Sequence, residues 1–157
     1  MKVIFLDIDG VLNSRIYDRK RNWNEQSDID ETRLPLVKNI VNETGAKIVL
    51  SSTWRVHWGK EPAKCDADGE YINRTFVKFG LEIYDKTPDL GIDFDRPDEI
   101  KSWLNSTPET IERFVIIDDY RYAWGKLSDN FVKTNPNLGL GLEEEHVQTA
   151  IRILNNE

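Results

Sequence analysis

Residues 2–10 read Lys2-Val3-Ile4-Phe5-Leu6-Asp7-Ile8-Asp9-Gly10, an apolar, β-branched-rich run that stops in two carboxylates and a glycine. A run without polar alternation is the pattern of a strand buried on both faces, with helices on either side of its sheet. Two more segments repeat the pattern. Lys47 to Leu50 (KIVL) ends in Ser51-Ser52-Thr53-Trp54-Arg55, and Arg113 to Ile117 (RFVII) ends in Asp118-Asp119. Phe131 to Thr134 reads as a short fourth strand.

Helical spacing fills the gaps between them. Val37, Ile40, Val41 and Thr44 share one face of a helix over 32–44, with Thr32 to cap it, Pro35 tolerated in its first turn and Gly45 to close it. Pro97 opens a helix over 98–104 that buries Ile100, Trp103 and Leu104. Val147, Ala150, Ile151 and Leu154 define a last helix over 143–154. The stretch from Val56 to Asp95 offers only Ile72, Phe76 and Phe79 at helical spacing within 69–79.

Strands alternating with helices predict an α/β fold: a three-layer, Rossmann-like parallel sheet with helices on both faces. In such a sheet the ligand sits outside the carboxyl ends of the strands. All three long strands end there in polar clusters, DIDG, SSTWR and DDY. The 157 residues fit one domain spanning 1–157, long enough to bury roughly two-thirds of the unfolded surface without staples.

The formal charge of −7, from 21 basic and 28 acidic residues, opposes non-specific binding to a polyanion. The single cysteine, Cys65, excludes an internal disulfide framework, and no Cys/His cluster has zinc spacing. Asp7 and Asp9 interrupt the N-terminal apolar run before it could serve as a secretory signal, and no run is long enough to span a membrane. A cytoplasmic location is expected.

Two carboxylates two residues apart in an extended chain point to the same side. One can attack phosphorus while the other protonates the leaving oxygen. Close anions repel each other and the phosphate, so a cation is needed. Hard oxygen ligands with no soft partner select Mg²⁺, with Asp118 and Asp119 completing its site from another strand end. Asp66-Ala67-Asp68-Gly69 shows the same D-x-D-G pattern without a preceding strand and reads as a surface turn. His57 and Cys65 read as structural or exposed residues, and Trp54, Trp58, Trp103 and Trp124 as packing residues.

Asp7-Ile8-Asp9-Gly10-Val11-Leu12 resembles the first motif of the haloacid dehalogenase (HAD) superfamily of phosphohydrolases. The resemblance continues in order through Ser52, a basic residue near a later helix, and Asp118-Asp119, covering roughly the first 120 residues. It implies Asp7 as nucleophile and Asp9 as general acid and then base. It implies Ser52, or Ser51, as a phosphate-binding hydroxyl at a loop that includes Gly10. Asp119 would bind Mg²⁺, with Asp118 as a second ligand or as partner of the basic residue, and the metal would also take a phosphate oxygen and groups of Asp7 and Asp9. The cation is expected to be Arg96, ahead of Lys101 or Lys86, because Arg96 precedes the helix leading into the Asp118 strand.

The segment SSTWR is also similar to the phosphatase domains of polynucleotide kinase and RNA-repair proteins, which implies Arg55 as a second phosphate-binding group. About 20 residues separate Leu12 from the first helix, too few for a large lid. The expectation is a small flap over an open site that admits a bulky phosphorylated substrate, a nucleotide or a nucleic-acid end. Arg15, Arg19, Lys20 and Arg21, with Tyr17 and Trp23 interleaved, suit phosphate and base contacts. The alternative is a non-catalytic regulatory module that binds phosphate or a partner in the same cleft; an intact Asp7, Asp9 and Asp119 set argues against it.

Overall fold

The computed structural model describes residues 1–20 and 28–156. Its centre is a five-stranded parallel sheet in the order β3-β2-β1-β4-β5. The strands are β1 (Lys2–Leu6), β2 (Lys47–Leu50), β3 (Ile83–Lys86), β4 (Arg113–Asp118) and β5 (Phe131–Lys133). The helices are α1 (Arg15–Arg19), α2 (Leu34–Thr44), α3 (Ala67–Lys78), α4 (Arg96–Ser106) and α5 (Glu144–Asn155). No helix among the described residues is long and apolar enough to cross a membrane.

Side chains alternate across each strand, and two cores result. On one face Ile4, Leu6, Ile48, Leu50, Val115 and Ile117 pack with residues of α2, α3 and α5. On the other Val3, Phe5, Val49 and Ile116 pack with Ile100 and Trp103 of α4 and with Trp124 and Leu127. The two faces make the expected three layers.

Sequence order reverses between β1 and β4, where β1 pairs with β4 on one side and β2 on the other. Such a reversal opens a crevice at the carboxyl ends of the two strands. Asp7 follows β1 and Asp118 ends β4, so the two carboxylates flank it.

Three local details depart from the sequence reading. Strand β3 was not expected. It is an edge strand in which only Ile83 is buried, so it lacks the apolar run that marks the others. Asp66 does not sit in a surface turn; its carboxylate accepts from the Asp68 and Gly69 amides and caps α3. Thr32 does not cap α2, which begins at Leu34 without a side-chain cap; the capping carboxylate is Asp30, which accepts from the Thr32 amide at the preceding 3-10 turn over Glu31–Arg33. Gly45 closes α2 at φ +68° as expected, and Asp95 with Asp98 forms a capping box at the start of α4.

Candidate active site

The strand alternation decides which side chains meet. Continuing the parity of Val3 and Phe5 puts Asp7 on the α4 face. Val49 carries Ser51 there, and Ile116 carries Asp118. The first residue of α4, Arg96, closes the group from above: its Nη1 lies 2.9 Å from Asp7 Oδ2 and 2.6 Å from Asp118 Oδ2. All four side chains are buried, Ser51 and Asp118 completely.

Asp118 is fully engaged. Its second oxygen accepts from the Tyr120 amide at 2.9 Å, so its position is that of a partner to the cation. Asp119 projects past it against Gly10. A Cβ built at Gly10, where φ is +76°, would stand 2.5 Å from the Asp119 carboxyl carbon, so only glycine fits this approach. Carboxylate oxygens of Asp7, Asp118 and Asp119 lie within 4.8 Å of one another, close enough to share one ion.

Burial dominates the electrostatics. It raises the Asp7 pKa to about 6, with Asp118 pushing the same way and Arg96 opposing. Burial also raises Asp118 against the pull of Arg96, and raises Asp119 with help from Asp7. One guanidinium therefore does not compensate three carboxylates. Arg96 is itself held more firmly protonated, because Asp7 and Asp118 outweigh the cost of its own burial.

Asp9 stands apart from this buried group, at the exposed mouth. Asn13 Nδ2 donates to its Oδ1 at 3.0 Å and Trp54 Nε1 to its Oδ2 at 2.9 Å. Asn13 is fixed in turn, accepting from the Gly10 amide at 2.8 Å and donating to the Asp28 carbonyl. The amide of Gly10, a residue expected in the phosphate loop, is thus taken by Asn13. The Gly10 carbonyl accepts from the Thr134 hydroxyl at 2.8 Å, which ties the loop to the residue after β5.

The two serines separate. Ser52 Oγ accepts from the Trp54 amide and caps the 3-10 turn over Thr53–Val56. Ser51 Oγ is buried and has no hydrogen-bond partner among the described residues. Arg55 departs from the phosphate-binding expectation. It donates to the carbonyls of Thr87, Ser52 and Pro88 and pairs with Glu99 at 2.5 Å, both side chains buried. Lys86 donates to the carbonyls of Arg55 and Trp58, and Lys101 sits at the surface beside Asp98. Neither reaches the acidic group.

Beside Arg96 opens a groove of about 480 Å³, with Arg55, Glu99, Phe94 and Tyr122 in its wall. The Tyr122 ring lies 5.7 Å from the Arg96 guanidinium. In the flap, Arg15, Arg19 and Lys20 are exposed on and after α1, whereas Arg21 and Trp23 lie outside the described residues.

Sequence reading missed Asn13 and gave Trp54 only a packing role. Trp54 does pack on the larger core, but its indole N–H serves Asp9. A polar Asn immediately after the apolar pair Val11-Leu12 was the available signal for Asn13. Nothing local marked Trp54.

Comparison with curated proteins and with solved structures returned no significant match. The family described as the HAD domain in Swiss Army Knife RNA repair proteins matches residues 3–147, nearly the whole chain. With the parallel sheet and the acidic strand ends in place, the chain belongs to this HAD domain family.

Proposed function

We propose that this protein hydrolyses phosphomonoesters with Mg²⁺, through an aspartyl-phosphate on Asp7. Its family gives the coarser statement, a phosphoesterase-type hydrolase. The observation that carries the finer reading is the Arg96 bridge, which holds a buried Asp7 carboxylate at the switch point of the sheet.

An Asp7 oxygen attacks phosphorus as the bond to the leaving oxygen breaks. The leaving oxygen takes a proton from Asp9, which becomes a carboxylate. Water then attacks the acyl phosphate while Asp9 takes its proton, releasing phosphate and restoring both aspartates. Ser51, whose hydroxyl is uncommitted, is the better placed of the two serines to donate to a phosphoryl oxygen. Arg96 offsets charge around Asp7 throughout.

The donor set fits a hard divalent cation: carboxylate oxygens only, close together, with more negative charge than Arg96 compensates. Asp7 and Asp119 would hold it with the Asp9 backbone carbonyl, Asp118 serving chiefly as the partner of Arg96. When bound, Mg²⁺ would neutralise charge on the carboxylates and the transferring phosphoryl group.

The substrate reading is a phosphorylated nucleotide or nucleic-acid end in a cytoplasmic setting. It is supported by the family, by the groove beside Arg96 and by the exposed cations of α1. Hydrolysis of an aryl phosphate with Mg²⁺, with EDTA and with Asp7→Asn tests the chemistry. Metal-dependent turnover lost in the variant is expected; turnover that survives Asp7→Asn overturns the covalent route. Inhibition by salt on oligonucleotides but not on mononucleotides would identify a polyanionic substrate.

A further inference from the structure

We infer that Trp54 is a positioning residue for the leaving-group step, holding Asp9 through its indole N–H in a two-donor clamp completed by Asn13. The inference rests on the phosphatase reading above.

Asp9 needs such a device because, among the described residues, no other side chain or amide holds it. Asp7 is set by burial and by Arg96, but Asp9 is exposed and lies beyond the end of β1. Proton transfer demands a carboxyl oxygen held within hydrogen-bond reach of the leaving oxygen, and misplacement by an ångström is costly. The two donors answer this with one contact on each carboxylate oxygen, 3.0 Å from Asn13 and 2.9 Å from Trp54.

Both donors are themselves anchored. Asn13 is pinned by the Gly10 amide and the Asp28 carbonyl. Trp54 sits in the 3-10 turn over Thr53–Val56, with its backbone amide on Ser52 Oγ. The next residue, Arg55, turns inward and ties that turn to the Thr87 and Pro88 carbonyls and to Glu99 of α4. Arg55 thus anchors the segment while Trp54 reaches the mouth. The segment after β2 therefore supplies a donor for the acid as well as a hydroxyl for the phosphate.

The step served is the transfer of the Asp9 proton to the leaving oxygen while that oxygen's bond to phosphorus breaks and the Asp7–phosphorus bond forms. An alkoxide departs poorly without this proton, whereas 2,4-dinitrophenolate departs without it. Loss of positioning therefore appears as leaving-group discrimination.

The test compares kcat/KM of wild type and Trp54→Phe on an alkyl phosphate and on 2,4-dinitrophenyl phosphate. Phe keeps an aromatic ring on the core and removes only the donor. We expect about a tenfold or greater loss on the alkyl ester, a part of the 10²–10⁴-fold range of general acid catalysis, and little change on the dinitrophenyl ester. In an Asp9→Asn background the same substitution should add no further discrimination, because the two residues act as one unit. Equal losses on both esters, no loss on either, or losses that multiply in the double variant would each overturn the assignment. If Trp54→Phe unfolds, 3-benzothienylalanine at position 54 keeps the shape of tryptophan with sulfur in place of N–H, and the same ratios decide. Wild-type turnover of the dinitrophenyl ester, and its loss in Asp7→Asn, tests the phosphatase reading separately.

Discussion

Arg96 Nη1 stands 2.9 Å from Asp7 Oδ2, although the two residues come from a helix start and a strand end far apart in the chain. The same nitrogen reaches Asp118 at 2.6 Å, so one group binds the ends of β1 and β4 together. Breaking a buried pair by deleting one partner leaves uncompensated charge and costs on the order of 3–5 kcal/mol. Arg96→Met is expected to lower the melting temperature by roughly 10 °C, at about 2–4 °C per kcal/mol for this size, and to abolish turnover. Arg96→Lys keeps the charge but not the planar fork, so it should fall between wild type and Arg96→Met in both measurements. A wild-type melting temperature in Arg96→Met would show that the bridge contributes nothing.

The raised Asp7 pKa makes a stability prediction with a defined sign. Between 3.8 and about 6 the folded metal-free protein holds a proton on Asp7 that the unfolded chain has released. Stability from this group is therefore greatest below that window and falls as pH rises through it. Two pKa units correspond to about 3 kcal/mol. Asp7→Asn removes the ionisation, so in EDTA it should unfold at higher denaturant concentration than wild type at pH 7, with the gap closing near pH 4. Chemical denaturation at both pH values measures it, and a variant less stable than wild type at pH 7 would refute the burial argument.

The contrast between Asp7 and Trp54 shows what was legible in the sequence. Strands β1, β2 and β4 declared themselves because burial on both faces leaves an apolar run. The site followed, since a parallel sheet gathers its strand ends. Strand β3 did not, because Tyr84, Asp85 and Lys86 are only half-buried at a sheet edge and carry no pattern. Arg96 could be read from its place before α4. Trp54 acts through a tertiary contact to Asp9 that no spacing encodes, whereas Asn13 lies four residues after Asp9 in the same loop. For Arg55 the resemblance of SSTWR implied a phosphate contact, whereas the turn over Thr53–Val56 directs its side chain inward to Glu99, which no local pattern encodes.

Gly10 and Gly45 give a controlled comparison. Both have positive φ, +76° and +68°, so alanine pays a similar backbone strain of about 1 kcal/mol or more at either. At Gly45 a Cβ meets nothing within 4 Å among the described residues, while at Gly10 it collides with the Asp119 carboxylate. Gly45→Ala should lower the melting temperature modestly and leave turnover intact. Gly10→Ala should destabilise more and also raise the Mg²⁺ concentration needed for half-maximal activity, because Asp119 is displaced. Equal effects at the two positions would remove the argument that Gly10 makes room for Asp119.

Arg55 separates anchoring from phosphate binding. Its guanidinium is committed to three carbonyls and to Glu99, so Arg55→Met leaves Glu99 buried without its salt-bridge partner. The expected penalty is on the order of 3 kcal/mol. Glu99→Gln keeps an acceptor at the same place and should cost less. At a temperature where Arg55→Met remains folded, KM for an aryl phosphate should match wild type, since no phosphate contact is lost. Turnover of an alkyl phosphate should nevertheless fall, because the turn that carries Trp54 loses its anchor beside Asp9. A raised KM with an unchanged melting temperature would reverse the assignment and return Arg55 to the phosphate.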